Sequence, residues 1–206
     1  MVKPAQRRRC GWSVGVDVAK QNPLMLAYHD GEWGVPVHDD RLHFEFMVLD
    51  AFQAGLSWAI VLGKREGFRK AFANFEPAKV ARFNAKSVER LVADASIVRN
   101  RQKIEATIGN AKAFLAVQRE HGTFDRFIWQ FVGGQTLQNA RKSMAHVPAK
   151  TPESDAMSKA LVKLGFKFVG STICYAYMQA AGLVNDHEIA CFRHATLAGR
   201  TARRRA

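Results

Sequence analysis

Residues 49–62 read LDAFQAGLSWAIVL, apolar almost throughout and interrupted by one carboxylate, Asp50. The run leading in, Leu42, Phe44, Phe46, Met47, Val48 and Leu49, is apolar on nearly every side, the pattern of a helix buried all round. Gly55 stops that helix, Ser57 is placed to cap the next, and Trp58 falls just inside its first turn. An acid in such surroundings costs roughly several kcal/mol unless it is paired or hydrogen-bonded. Two readings stay open on these residues alone. Asp50 is an acid satisfied by backbone amides, or it lines an aromatic pocket that receives a cationic or amine-bearing ligand.

Helical spacing continues on the C-terminal side. Asp39 or Asp40 caps the helix that ends at Gly55, and the next runs from Ser57 through Phe68 and Phe72 to about Phe75. Pro77 opens a short helix with Val80 and Phe83, and Lys86 to Asp94 forms another. Arg101 to Glu120 is long, with Ile104, Ile108, Ala111 and Leu115 at helical spacing, and Phe124 to Val132 is short and aromatic. Thr151 and Pro152 start a helix closed by Gly165, and Val169 to Ala181 is the last, with Gly182 just past its end. No run of alternating strands and no repeat appears, so the expected class is all-α. On the N-terminal side, residues 11–38 carry turn signals at Asn22-Pro23, Gly31, Gly34 and Pro36 and are expected to be irregular. A loop of that length is functional or held by something.

With 206 residues, 48% of them hydrophobic, the chain can bury a core, and its net charge of +13 points to an anionic partner. Four basic residues and no acid precede Cys10, and five basic residues and no acid follow Cys191, so the ends hold nine of the thirteen charges. The expected division is a basic disordered arm over 1–9, one helical domain over 10–192 and a basic tail over 193–206. The N-terminus lacks the apolar core of a signal peptide and no stretch approaches a membrane span, so a cytoplasmic protein is expected. Three cysteines are too few for a disulfide framework, and Cys174, among Ile173, Tyr175 and Tyr177, reads as a core thiol.

His187 and Cys191 stand four apart, so one helical turn would point both the same way. Cys10 and His29 can complete a tetrahedral Cys₂His₂ set, with His194 as a rival ligand. The alternative is a surface histidine beside an incidental cysteine. The joint at 95–100 between two helices, followed by Arg99, Arg101 and Lys103, suits a helix–hairpin–helix whose amides hold a DNA phosphate. The usual hairpin glycines are missing, and an ordinary helix joint with surface arginines reads the same way.

CGW at 10–12, AYHDGEWGVP at 27–36, QAGLSW at 53–58, KREGFRKAF at 64–72, GFKFVGSTICYAYMQAAGLVNDH at 165–187 and the closing Cys191 resemble the 3-methyladenine DNA glycosylase I family. The resemblance runs in order from Cys10 to Cys191. It implies an all-helical, helix–hairpin–helix glycosylase that flips 3-methyladenine out of double-stranded alkylated DNA and removes it, acting as a monomer in the nucleoid. It implies a structural zinc on Cys10, His29, His187 and Cys191, tying the N- and C-terminal regions together. It makes Trp12, Tyr28, Trp33 and Trp58 the walls of a base pocket, and Asp50 the acid that reads the base and serves the reaction. Ser96, Arg99, Arg101 and Lys103 become the phosphate clamp. The chain departs from the pattern in three places: Asp50 is one methylene shorter than the family's glutamate, Met25 stands where tyrosine is common, and the 13–22 spacer is longer. No general base is assured, since Thr123-Phe124-Asp125 reads as a helix cap. The competing expectation is a non-catalytic binder of alkylated DNA.

Overall fold

The computed structural model describes residues 7–14 and 22–203, with side chains as far as 199. The 13–22 spacer and the basic arm therefore lie largely outside the described residues.

The fold is built around α3 (Asp40–Gln53), whose residues from His43 to Phe52 are all buried. Asp39 caps it, accepting from the Leu42 amide at 2.8 Å. Asp40 instead turns to α9 (Phe124–Trp129) and accepts from the Phe124 and Asp125 amides at 2.9 and 2.8 Å. At the other end Ala54 is the C-cap and Gly55 takes φ +80°, a left-handed turn that glycine adopts without strain. Packed on α3 are α4 (Trp58–Gly63), α8 (Arg101–His121), α9, α11 (Ser171–Ala180) and the 3₁₀ turn Ala73–Phe75. Two aromatic clusters fill the core. Phe44 meets Phe114, which stacks on Phe124 at 4.1 Å between centroids, and Phe52, Phe68, Phe72 and Phe75 form a second chain of ring contacts.

A polar seam crosses this core. Tyr177 on α11 meets the buried His43 of α3 at Nδ1, 2.6 Å away, and His43 Nε2 meets Asp125 Oδ1 at 3.0 Å. His38 shares the same carboxylate oxygen at 3.0 Å. An ionised Asp125 only accepts, so His43 carries its proton on Nε2 and Tyr177 donates to Nδ1. The two histidine contacts outweigh burial and hold the Asp125 carboxyl below the usual range.

Several elements differ from the sequence expectations. Residues 11–38 are partly helical, with α1 (Gly11–Val14) and α2 (Pro23–Gly31). Asn22-Pro23, read as a turn, is a helix start: Asn22 accepts from the Leu24 amide at 2.9 Å and Pro23 occupies the first turn. The helix expected from Ser57 to Phe75 breaks into α4, α5 (Arg65–Ala71) and a 3₁₀ turn at Ala73–Phe75 with φ near 51–56°. That left-handed turn lets Phe72 and Phe75 both enter the core with rings 8° from parallel.

Further along come α6 (Pro77–Val80), α7 (Ala85–Ala93) and α10 (Pro152–Lys163), the last two opened by reciprocal Asn84–Ser87 and Thr151–Ser154 capping boxes. The last core helix, α11, starts at Ser171 rather than Val169. Among the described residues the architecture is helical, with a two-residue parallel pair, β1 (Leu137–Gln138) with β2 (Val184–Asn185), and an isolated bridge between Arg141 and Glu188.

The chain ends also depart from the expectation. Residues 193–203 continue a helix, α12 (Phe192–Arg203), whose Leu197 is buried. Residues 7–9 lie against the body because Arg9 finds Asp30: its Nε and Nη2 donate to the carboxylate at 2.8–3.1 Å. The Arg8 carbonyl accepts from the Phe192 amide at 3.0 Å, joining the two ends.

Candidate functional site

One cleft of about 280 Å³ gathers residues from five α-helices and a 3₁₀ turn. Trp12 comes from α1, Met25 and Tyr28 from α2, Asp50 and Gln53 from α3, Trp58 from α4, and Ala176 and Gln179 from α11; Trp33 and Met144 complete the lining. Trp12 meets Trp33 and Tyr28 edge to face at 5.0 and 6.3 Å between centroids, and Tyr28 lies tilted against Trp58 at 5.1 Å. All four aromatic residues and the acid singled out in the sequence thus come together. Met25 supplies a thioether wall rather than a gap. Gln53, Ala176 and Gln179 fall within the motifs that carry the resemblance but have no expected site role, and Met144 falls outside them; all four reach the cleft through the packing of α3, α11 and the 3₁₀ turn at Met144–His146.

The cleft is polar at a few atoms only. Asp50 is 3% exposed, and its Oδ2 is buried without a hydrogen-bond partner. The indole Nε1 groups of Trp12 and Trp58 are likewise buried and unpartnered. Buried polar atoms without partners are uncommon in folded proteins. Two donors and one acceptor lining one cavity are the complement of a ligand that carries both functions. Burial pushes the Asp50 carboxyl well above its ordinary range, and it pushes the Tyr28 phenol up as well, with the charges of Asp50 and Glu32 adding to the effect. Ser57 stands at the N-cap of α4 without bonding an amide, which puts Trp58 at the first helical position.

Behind Trp33 lies a second cluster. Cys10, His29, His187 and Cys191 are all buried, and their ligand atoms lie within 4.8 Å of one another. Cys10 Sγ is 3.4 Å from His187 Nδ1, and Cys191 Sγ is 3.5 Å from His29 Nε2 and 3.6 Å from His187 Nδ1. A tetrahedral ion with metal–sulfur and metal–nitrogen bonds of about 2.3 and 2.05 Å requires sulfur–nitrogen edges of about 3.6 Å, so the set fits such an ion. The outward ring nitrogens are engaged as metal-site histidines require: His29 Nδ1 meets Asp30 at 2.8 Å and His187 Nε2 meets the Trp33 carbonyl at 3.0 Å. The Glu188 and Arg193 amides donate to the Cys10 and Cys191 sulfurs at 3.3 and 3.4 Å. Hydrogen bonding between the two sulfurs drives the Cys191 thiol down and the Cys10 thiol up. His194 stands outside the cluster, its Nε2 2.8 Å from the Asn139 carbonyl. Cys174 is a core thiol that burial pushes up to about 12.

The joint between α7 and α8 is pinned to α5. Lys64 Nζ donates to the Ala95 carbonyl at 2.7 Å, and a Cβ on Gly67 would meet the Ser96 carbonyl oxygen at 2.4 Å, so glycine permits this approach. Ser96 and Arg99 are exposed. Arg101 is also exposed, and its guanidinium pairs with Glu89 at 2.7 Å. Lys103 departs from the expectation. It is 7% exposed and turned inward, donating to the Phe52 and Ala54 carbonyls at 2.9 and 2.6 Å. The open carbonyls at the end of α3 attract it there, and burial lowers its pKa.

Comparison with known proteins fits this geometry. The sequence model of a family described as methyladenine glycosylase matches residues 18–194. DNA-3-methyladenine glycosylase 1 of Escherichia coli (strain K12) is 51% identical over 183 residues, covering 89% of this chain and 95% of that protein. The DNA-3-methyladenine glycosylase of Haemophilus influenzae is 44% identical over 179 residues, with coverages of 87% and 94%. A crystal structure of 3-methyladenine DNA glycosylase I superposes with a TM-score of 0.86 at 49% identity, covering 91% of this chain and all of the other. The Staphylococcus aureus enzyme, in a structure concerned with 3-methyladenine recognition, superposes at 0.83 with 32% identity, covering 88% and 97%.

Proposed function

The chain belongs to the methyladenine glycosylase family, and from that premise we infer that its aromatic cleft receives a 3-methyladenine flipped out of alkylated double-stranded DNA and releases it by hydrolysing the N-glycosidic bond. The observation that carries this reading is the unpartnered Oδ2 of Asp50 in a cavity walled by aromatic rings.

A base inside a duplex is out of an enzyme's reach, and extruding it costs about a few kcal/mol of stacking and pairing. N3-methylated adenine is cationic while attached to the sugar and departs as a neutral base. Trp12, Tyr28, Trp33 and Trp58 attract the bound cation, at roughly 0.5–2 kcal/mol for each good ring contact. Asp50 accepts a hydrogen from the exocyclic amine, and the incoming positive charge stabilises a carboxylate that burial alone disfavours. The leaving group is already activated by its charge, so no strong acid is needed to protonate it. Water attacks an oxocarbenium-like sugar, by analogy with glycoside hydrolysis. Asp125 is committed to His38 and His43 and is absent from the cleft lining, which leaves it no role as the base for that water.

DNA meets the protein at the α7–α8 joint, read here as a helix–hairpin–helix. Ser96, Arg99 and Arg101 lie on its exposed side and clamp the phosphate backbone, while Lys103 holds α3. The ion at Cys10, His29, His187 and Cys191 is zinc, whose preference for sulfur and nitrogen donors in a closed tetrahedron matches this set. Bound there, it cross-links the two ends of the chain and leaves no open position for substrate.

The test is release of free 3-methyladenine from methylated DNA, resolved by chromatography, for the wild type and Asp50→Asn. Release by the wild type and a loss of about ten- to a hundredfold in the variant are expected. Tight DNA binding with no released base would instead describe a non-catalytic binder.

A further inference from the structure

Gln179 lines the same cleft as Asp50 and approaches it from α11. Its side-chain Nε2 donates to Asp186 Oδ2 at 2.8 Å. Asp186 is 1% exposed and surrounded by donors: Arg141 Nε at 3.0 Å, Asn139 Nδ2 at 2.7 Å and the Tyr175 hydroxyl at 2.5 Å. A carboxylate paired with arginine only accepts, so the NH₂ end of Gln179 must face Asp186. Its Oε1 is left without a hydrogen bond to the described residues. Gln179 itself is half-buried and lines the cleft.

The cleft is thus lined by two residues on separate helices that each carry an unengaged acceptor, Asp50 with Oδ2 and Gln179 with Oε1. A 6-amino purine presents two diverging amine hydrogens, and a single acceptor would leave the other hydrogen desolvated and unpaired. A 6-oxo purine brings an acceptor into the same place. The two acceptors also differ in constancy. A carboxyl whose pKa burial raises turns into a donor on protonation, whereas an amide oxygen stays an acceptor at every pH.

We propose that Gln179 is a specificity-determining residue of this cleft, its Oε1 taking the second amine hydrogen of the flipped base alongside Asp50 while Asp186 holds the amide in register. The proposal rests on the base-pocket reading above. It gives a glycosylase with a shortened pocket acid a second, charge-independent means of selecting the amino base.

The test uses the full chain and two free bases that differ at the 6-position, 3-methyladenine and 3-methylhypoxanthine. Binding is followed by quenching of the tryptophans in the wall, and folding by circular dichroism. The wild type should prefer the amino base by about a hundredfold, and Gln179→Met should lower that preference to about tenfold. Gln179→Glu loses the same bond to Asp186 but keeps an acceptor oxygen, and should stay within about threefold of the wild-type preference. An unchanged preference in Gln179→Met overturns the proposal. Equal loss in Gln179→Met and Gln179→Glu also overturns it, because the residue would then act only as an anchor to Asp186. A wild type that neither binds 3-methyladenine nor releases it from methylated DNA overturns the pocket reading itself. Release by the wild type with an indifferent Gln179→Met defeats the Gln179 assignment alone.

Discussion

At Asp50 the needs of the fold and of the site oppose one another. The carboxyl lies in a helix whose residues 43–52 are all buried, with one oxygen unpartnered, and desolvation raises its pKa. A group whose pKa is raised on folding favours the folded state below its unfolded pKa, about 3.9 for aspartate, and that contribution is lost as pH rises through the folded value. The contribution of Asp50 to stability should therefore fall from about pH 4 upward, and Asp50→Asn should remove that fall. Thermal melts should show Asp50→Asn gaining on the wild type as pH rises, by about 2–4 °C for each kcal/mol recovered, while its base release falls. A variant that loses stability and activity together at every pH would show that the acid is a satisfied core group. Asp50→Glu should preserve or raise release, since the longer arm brings the carboxylate closer to the amine. Asp50 was legible from sequence because a lone acid breaks an apolar run. Gln179 lies within a motif of the resemblance, but no break in polarity singles it out there, and only the packing of α11 against α3 turns it into the cleft.

Among the elements, α3 is restrained at its seam with α11 and at its C-terminal end, and each restraint makes a separate prediction. The seam to α11 joins Tyr177 to His43 at 2.6 Å in the buried core. Tyr177→Phe leaves His43 Nδ1 an unpaired buried acceptor, which costs about 1–3 kcal/mol. Replacing both partners together, His43→Leu with Tyr177→Phe, removes the unmet group, so the double variant should be less destabilised than the two single effects summed. Denaturant unfolding of the four proteins measures the coupling. The C-terminal end of α3 depends on Lys103. Lys103→Met should lower stability and leave the salt dependence of DNA binding unchanged, whereas Arg99→Ala should reduce the salt slope by about one unit and leave the melt unchanged. The opposite pattern would return Lys103 to the DNA face. Cationic clusters at a helix start look alike in sequence, and which member turns inward depends on whether unpaired carbonyls lie within its reach. The same limit explains α2. Asn22-Pro23 is both a turn signal and a helix start, and only the tertiary place of Tyr28 and His29, both buried on that helix, decides between them.

Across the whole molecule, the expected tails are where sequence reading reached least far. Charge density alone marks an end as solvated, yet Arg9 finds Asp30, whose other contact is the ring of His29, and α12 places Leu197 beside Gly34 and His187. Both ends are thus organised by the four-residue cluster, whose members lie 181 positions apart at the extremes, Cys10 and Cys191. Closing so long a loop in the unfolded chain is entropically costly, and a cross-link there stabilises the fold by about as much. The cluster also reaches the cleft, since the His187 ring meets the carbonyl of Trp33, a wall residue. Metal content should therefore read out in two places. Elemental analysis should give one zinc per chain, and chelation should lower the melting temperature by about 10 °C or more, because the four buried ligand groups lose their common partner. Chelated protein kept below its melt should also bind 3-methyladenine more weakly, as Trp33 loses its support. Cys10→Ala should reproduce both effects. Well under one equivalent of metal, with Cys10→Ala melting like the wild type, would leave the cluster a set of hydrogen-bonded core residues and remove the link between the ends and the cleft.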